Sequence, residues 1–418
     1  HLVFRTDQLI DGIARSVDIT PQEVVAALPS PLIDRSDVGA AMLQGSSYAE
    51  PRETLEMLRQ AMSTPQYEHS IEIPFGVVRT MIDLGLTTQA RAWLRSLSER
   101  FGDGLTAALI GLVTGVLFGA AAQRSAFCLR AATVEFARWQ MGPRMAVWLL
   151  SFSSAAVWVQ AAALSGLFAP NEARMLAVTG SISGAVLGGL IFGAGMVLSR
   201  GCPGRLLVLA ATGNLRSILS GLLFAVTAQM ALHGWLAGAR GEMAAWWVTP
   251  DGRNVNLLTA LGLPRGSGLA LGLVVALLAL YIARRNRIGP RPLIFGAGVG
   301  VVVALGYFMT YSLAQVAFDP VSVSSVTFTG PSANTLMAML APFEGWGFDI
   351  GLIPGVFIGS FVAAAIAGEL HFQTFENAGQ TRRAMLGAVM MGFGGMLAGG
   401  CSIGNGISGS SIFALTAW

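Results

Sequence analysis

Beyond residue 103 the chain carries apolar runs long enough to cross a lipid bilayer, and that property constrains the rest of the fold. A hydrocarbon core of about 30 Å needs about 20 apolar residues per helix. Inside it every backbone N–H and C=O must find a partner within the protein. The runs fall near 104–122, 144–168, 179–198, 217–238, 267–283, 293–313, 350–369 and 384–399, and the apolar tail Ile412 to Trp418 is placed to begin a further span. The intervening segments 123–143, 199–214, 314–349 and 400–410 are too glycine-rich or too polar to span alone. They are expected as short broken helices buried in protein at membrane depth, where irregular backbone survives. An all-α polytopic membrane protein follows.

Composition enters where the two parts of the chain differ. Charged residues make up 12% of the sequence, against about a quarter in soluble domains, which excludes an ordinary cytosolic enzyme. All 26 basic residues are arginine, of which 9 fall in 1–103 beside 14 acids, leaving 17 with 9 acids in 104–418. Residues 1–103 therefore read as an acidic, small helical soluble domain of unassigned role. Thr20-Pro21-Gln22-Glu23 forms a capping box, and Pro51 to Met62 and Thr87 to Phe101 have apolar residues at helical spacing. A net charge of +3 spread along the chain gives no reason to expect nucleic acid. Placing residue 104 outside collects 13 arginines on the inner side, from Arg124 to Arg383, and leaves Arg174, Arg240, Arg253 and Arg265 outside. Because arginine is retained in cytoplasmic loops, this predicts a multi-pass inner-membrane protein with residues 1–103 periplasmic. That placement requires an export signal upstream of His1.

The cysteines, Cys128, Cys202 and Cys401, each lie beside an apolar segment, so a disulfide framework is not expected. The histidines, His1, His69, His233 and His371, have no ligand spacing, and neither a metal nor a cofactor is expected. Two of the cysteines sit in an internal repeat. Aligned on cysteine, Gly193-Ala-Gly-Met-Val-Leu-Ser-Arg-Gly-Cys202 and Gly392-Phe-Gly-Gly-Met-Leu-Ala-Gly-Gly-Cys401 share five of ten positions. An odd number of crossings separates the copies, so they have opposite orientation. Inverted repeats belong to transporters whose substrate site lies at the repeat interface near mid-membrane.

Glycine at these positions lets helices approach closely and lets backbone N–H groups, those of Gly201 and Gly400 among them, face a cavity. After each repeat cysteine a turn leads into a new helical stretch, whose N-terminus offers unpaired donors to an anion without any lysine. A thiol among apolar neighbours stays neutral and acts as a weak donor to soft sulfur. Arg200 and Arg205 flank Cys202 and either draw anions to the inner mouth or snorkel to the interface. Asn334 and Asn405 are placed to donate amide hydrogens to sulfonate oxygens or to cap helices. Glu369 is either a proton-coupling group or an interfacial acid.

These residues carry a resemblance. Gln123-Arg124-Ser-Ala-Phe127-Cys128, Gly201-Cys202, Gly330-Pro-Ser-Ala-Asn334, Gly359-Ser360-Phe361 and Gly392-Phe-Gly through Gly399-Gly-Cys401-Ser-Ile-Gly-Asn405-Gly406 together resemble the YeeE/YedE family of sulfur-transport membrane proteins. The resemblance covers about 104–418 in order. It implies a thiosulfate-type uptake permease with nine spans, an hourglass of re-entrant helices, and Cys128, Cys202 and Cys401 contacting the substrate sulfur along a pore. The chain departs from the family at Arg200, where a small residue is usual, and at Pro203; residues 1–103 lie outside the resemblance. The expected function is uptake of thiosulfate or a similar sulfur oxyanion, without covalent chemistry. Two rivals are a membrane sulfur relay, in which a cysteine persulfide passes sulfur to a cytoplasmic sulfur-carrier protein, and a non-transporting anchor subunit.

Overall fold

The computed structural model describes residues 102–264, 266–317, 320–341, 345–373 and 378–418. The helical domain expected over 1–103 lies outside them up to residue 101, as does Arg265 of the arginine count. In chain order the principal helices are α1 (Asp103–Arg124), α2 (Leu129–Ala137), α3 (Pro143–Leu164), α4 (Ile182–Ser199), α5 (Pro203–Ala211) and α6 (Leu215–His233). They continue with α7 (Ser267–Arg285), α8 (Pro290–Val316), α9 (Thr329–Leu340), α10 (Phe348–Ala367) and α11 (Ala378–Leu397). A π-helical turn, Gly404–Gly409, follows. Two short antiparallel strands, β1 (Thr179–Ser181) and β2 (Val248–Arg253), pair beside the start of α4.

Among the described residues, 7 helices are long and apolar enough to cross a membrane: α1, α3, α4 running on into α5, α6, α7, α8 and α10. The eighth expected span, 384–399, is helical but begins earlier, and Gln380, Arg382 and Arg383 in the first turns of α11 shorten its apolar stretch. Packing against α4 and α6 holds it in place instead. Each of the four segments expected to be broken contains a short helical piece: α2, α5, α9 and the π turn. Large apolar side chains such as Leu190, Leu277 and Ile366 face outward, the surface that lipid requires.

The inverted repeat extends well beyond the two cysteine motifs. A second series, α8, α9, α10, α11 and the π turn, follows the order long, short, long, long, short already set by α1, α2, α3, α4 and α5. Contacts obey the exchange. A side chain placed on Gly195 would meet Gly387 O and Met391 N, and one placed on Gly394 would meet Gly188 O and Phe192 N. The sequence offset that carries Cys202 onto Cys401 converts one set into the other with the partners swapped. The same exchange of elements relates α1 on α10, where Gly115 touches Leu352 and Val356, to α8 on α3, where Gly300 touches Ser151 and Ala155. Small residues at these crossings let backbones touch, which is how helices associate when lipid removes any hydrophobic gain.

Both copies end their long helix in the left-handed conformation, Arg200 at φ 60° and Gly399 at φ 76°. Glycine adopts this region freely, whereas a residue with a Cβ is strained by roughly 1–2 kcal/mol. Arg200→Gly should therefore raise stability by about 1 kcal/mol, read as a higher unfolding midpoint in detergent. An unchanged or lower midpoint would mean that the Arg200 side chain contributes packing that offsets its backbone.

Candidate functional site

The three cysteines occupy one structural role. Each backbone carbonyl accepts the first hydrogen bond of a short helical piece: Cys128 O from Ala132 N at 3.2 Å, Cys202 O from Leu206 N at 2.9 Å and Cys401 O from Asn405 N at 2.8 Å. Cys128 and Cys202 are the extended N-cap residues of α2 and α5, and Pro203 supplies the first turn of α5, where its missing N–H costs nothing. Cys202 and Cys401 are completely buried, Cys128 half-buried, and all three are free thiols. The chain brings them together. Cys202 lies within electrostatic reach of both Cys128 and Cys401, with Ser402 beside it.

Backbone amides hold the sulfur of Cys401. Phe328 N and Gly404 N each donate to Cys401 Sγ at 3.3 Å, and Thr327 Oγ1 stands 3.9 Å away. Ser408 Oγ donates to Val326 O at 2.7 Å, fixing the π turn to the segment before α9. A side chain on Gly204 would run into Ile403 and Phe328, so the tips of α5, of α9 and of the π turn meet at one point. Around that point Thr329 Oγ1 and Asn405 Oδ1 are buried without a hydrogen-bond partner among the described residues, Ser402 lies against Cys202, and Arg205 Nη1, near Cys128, and Arg130 Nε are likewise unpartnered among those residues. Leaving a buried polar atom unsatisfied costs about 1–3 kcal/mol, and a polar ligand is one explanation for accepting it.

The expected site residues divide accordingly. Cys128, Cys202 and Cys401 converge. Gly201 and Gly400 are buried beside their cysteines, and a Cβ on Gly400 would sit 2.5 Å from Asn405 Oδ1. Arg200 is exposed and points to Gln380 Oε1 at 3.5 Å, away from the sulfurs. Arg205, by contrast, lies within electrostatic reach of Cys128 and Cys202, as well as of Arg144 and Glu369. Neither asparagine amide faces the cysteines. Asn405 Nδ2 donates to Ala398 O at 3.0 Å, and Asn334 Nδ2 donates to Asp349 Oδ2 at 2.8 Å. Asn334 and Asp349 line a separate cavity of about 930 Å³ with Arg174 and His233, at the end of the bundle where α1 and α10 begin and α6 ends. Glu369 accepts from Gln123 Nε2 at 2.8 Å in an exposed position.

Phe328, Thr329, Ser402 and Arg130 were not legible as site residues, since each belongs to a common type at an unremarkable spacing. Their one sequence signal is the repeat itself, in which α9 from Thr329 answers α2 from Leu129.

Comparison with known proteins agrees with this architecture. The chain is 25% identical over 344 residues to the thiosulfate transporter TsuA of Escherichia coli, covering 74% of this chain and 89% of that protein. It is 24% identical over 326 residues to the thiosulfate transporter TsuA of Spirochaeta thermophila, covering 74% and 93%. The N-terminal part differs in kinship. It is 43% identical over 107 residues to the serine/threonine-protein kinase PknG of Mycolicibacterium smegmatis, which is 24% of this chain and 14% of the kinase. A family profile described as protein kinase G tetratricopeptide repeat matches residues 1–104. A second profile, described as sulphur transport, matches residues 124–418. With most of its length under that second profile and a multi-pass helical fold, the chain belongs to the sulphur transport family.

Proposed function

We propose that the chain is an inner-membrane permease for inward movement of thiosulfate or a closely related sulfur oxyanion, conducted past Cys401, Cys202 and Cys128 in turn. The observation that carries this reading is the convergence of three buried or half-buried thiols at the starts of short helices, amid polar atoms that have no partner among the described residues. The naming of the two similar proteins as thiosulfate transporters supports the substrate class. Thiosulfate has one soft sulfur end and one oxygen-rich end. Neutral thiols match the first, and backbone N–H groups with Arg205 match the second. Sulfate offers no terminal sulfur, so each thiol contact favours thiosulfate by about 1 kcal/mol at most.

Radiolabelled uptake into vesicles containing the purified chain tests the proposal. Unlabelled thiosulfate should compete several-fold more effectively than sulfate. Equal competition would return the cysteines to a packing role. The persulfide-relay rival predicts a one-sulfur mass gain on a cysteine after turnover, whereas permeation leaves all three thiols unmodified.

Arg205 serves as the inner-side charge in this scheme. Arg205→Gln should lower uptake of thiosulfate and of any competing anion by about tenfold, the worth of a hydrogen bond to a charged group, without changing their ratio. Arg200→Gln should leave both within about twofold, as exposed charges usually do. Comparable losses from the two substitutions would sink the assignment of Arg205.

Residues 1–103 form a domain distinct from 104–418 in this proposal, supported by the two profiles, which match 1–104 and 124–418 without overlap. The arginine distribution puts that domain in the periplasm and the 284–291 loop in the cytoplasm. In intact cells an impermeant thiol reagent should label Ser46→Cys and spare Arg287→Cys; the opposite pattern would invert the topology.

A further inference from the structure

The repeat gives every pore element a counterpart, and one counterpart breaks the pattern. Short pieces begin at Cys128, at Cys202, at Phe328 and at Cys401. Cys202 pairs with Cys401 across the repeat. Cys128 pairs with Phe328, since these are the N-caps of the corresponding helices α2 and α9. Symmetry therefore offers four tip positions. Three hold thiols and the fourth holds an aromatic ring.

That ring is placed to obstruct. Phe328 is 1% exposed and packs on Phe118 at 5.5 Å between centroids, tilted by 54°. Its Cε2 lies 3.0 Å from where a Cβ on Gly204 would stand, so the ring rests on the first turn of α5 next to Cys202. Its own backbone N–H meanwhile holds Cys401 Sγ. One residue thus contacts the Cys401 thiol through its main chain and covers the helix of the Cys202 thiol with its side chain. Next to it Thr329 Oγ1 is buried without a hydrogen-bond partner among the described residues, and the Ser402 side chain lies against Cys202.

Resting on the permease reading above, we infer that Phe328 is the gate between Cys401 and Cys202. In this closed arrangement the ring seals an apolar constriction, which an anion with its hydration shell does not cross. Rotation of the side chain away from its seat on Gly204 opens the way. It uncovers the Thr329 and Ser402 hydroxyls as ligands for the passing oxyanion. Glycine at position 204 is what lets the ring seat so closely, so gate and seat form a matched pair.

The test follows Cys202 directly and does not depend on transport. Sealed vesicles containing the full chain, oriented with the side of the 930 Å³ cavity outward, are treated with a small impermeant anionic thiosulfonate. Mass spectrometry then locates the adduct. Wild type should show Cys202 protected; Phe328→Ala should label Cys202 at least about tenfold faster and let chloride leak. Phe328→Leu keeps most of the buried volume and should label several-fold faster, which preserves the test if the alanine variant does not fold. Phe328→Trp should slow thiosulfate uptake. Wild-type protection of Cys202 in a folded Phe328→Leu or Phe328→Ala protein would overturn the gate. Accelerated labelling in a protein that moves no thiosulfate would keep the gate and refute the permease reading, so the two failures are separable.

Discussion

Cys202→Ala should reduce thiosulfate uptake by at least about tenfold while the protein inserts and folds. A hydrogen bond to a charged group is worth about 1.5–3 kcal/mol, or about tenfold to hundredfold in binding. Cys202 is completely buried within electrostatic reach of both other thiols, so its loss interrupts the series of sulfurs. Loss of one small buried side chain costs only about 1–2 kcal/mol of stability, well short of unfolding a domain. The serine variant sharpens the reading. Cys202→Ser preserves a donor of similar size and removes only the soft sulfur, so it should lose up to about fivefold in uptake if sulfur recognises sulfur. Full uptake in Cys202→Ser would show that a hydroxyl suffices, and full uptake in a folded Cys202→Ala would remove the middle thiol from the pathway altogether. Cys401 should behave in the same way, with a complication. Its Sγ receives two backbone N–H groups, and alanine there orphans both, so part of any loss will be structural. Comparing unfolding midpoints of Cys401→Ala and Cys202→Ala separates the two contributions.

The membrane architecture was legible because the bilayer enforces it: a long unbroken apolar run has few other uses. Positions of the broken segments were legible for the same reason, as glycine-rich or polar stretches cannot span. Side-chain direction was not. Arg200 and Arg205 look equivalent around Cys202, but Arg200 occupies the left-handed helix end and is turned outward, while Pro203 starts α5 so that Arg205 follows within its first turn and faces inward. Asn334 looked like an anion donor because it closes a family-like motif, yet its amide binds Asp349 across the gap between α9 and α10. The counterpart in the first half explains why. There Glu135 of α2 accepts from Arg144 N and Met145 N at the start of α3, and in the second half Thr335 of α9 donates to Asp349 O at the start of α10. This region ties each short helix to the long one that follows. Phe328 escaped notice because the relation that singles it out is positional, with no shared residue type to advertise it.

The glycines of the α4–α11 crossing give the second large effect, and they test the pseudo-twofold axis itself. Gly195→Val and Gly394→Val should each prevent accumulation of folded protein. In both cases the new side chain meets backbone of the opposite helix, Gly387 O with Met391 N in one and Gly188 O with Phe192 N in the other. Backbone atoms cannot retreat by changing rotamer, so the helices must separate, and the cost lies at or above the upper end of the roughly 1–3 kcal/mol typical of overpacking. Because the two environments are related by the repeat, the two losses of folded protein should be of similar extent. Gly193 provides the control. It shares the same helix and the same repeat, but a Cβ there meets nothing within 4 Å. Gly193→Ala should therefore be neutral or stabilise by up to about 1 kcal/mol, the helical preference of alanine over glycine. Gly392, its repeat counterpart, differs: a Cβ there would meet Phe224 O and Ala228 N of α6, so Gly392→Ala should be destabilising. Folded yield reports the two valine variants, and the unfolding midpoint in detergent reports the two alanine variants. Tolerance of valine at Gly195 with loss at Gly394 would show that the repeat in sequence is not an axis in space, and the pairing of Cys202 with Cys401, and of Cys128 with Phe328, would lose its basis.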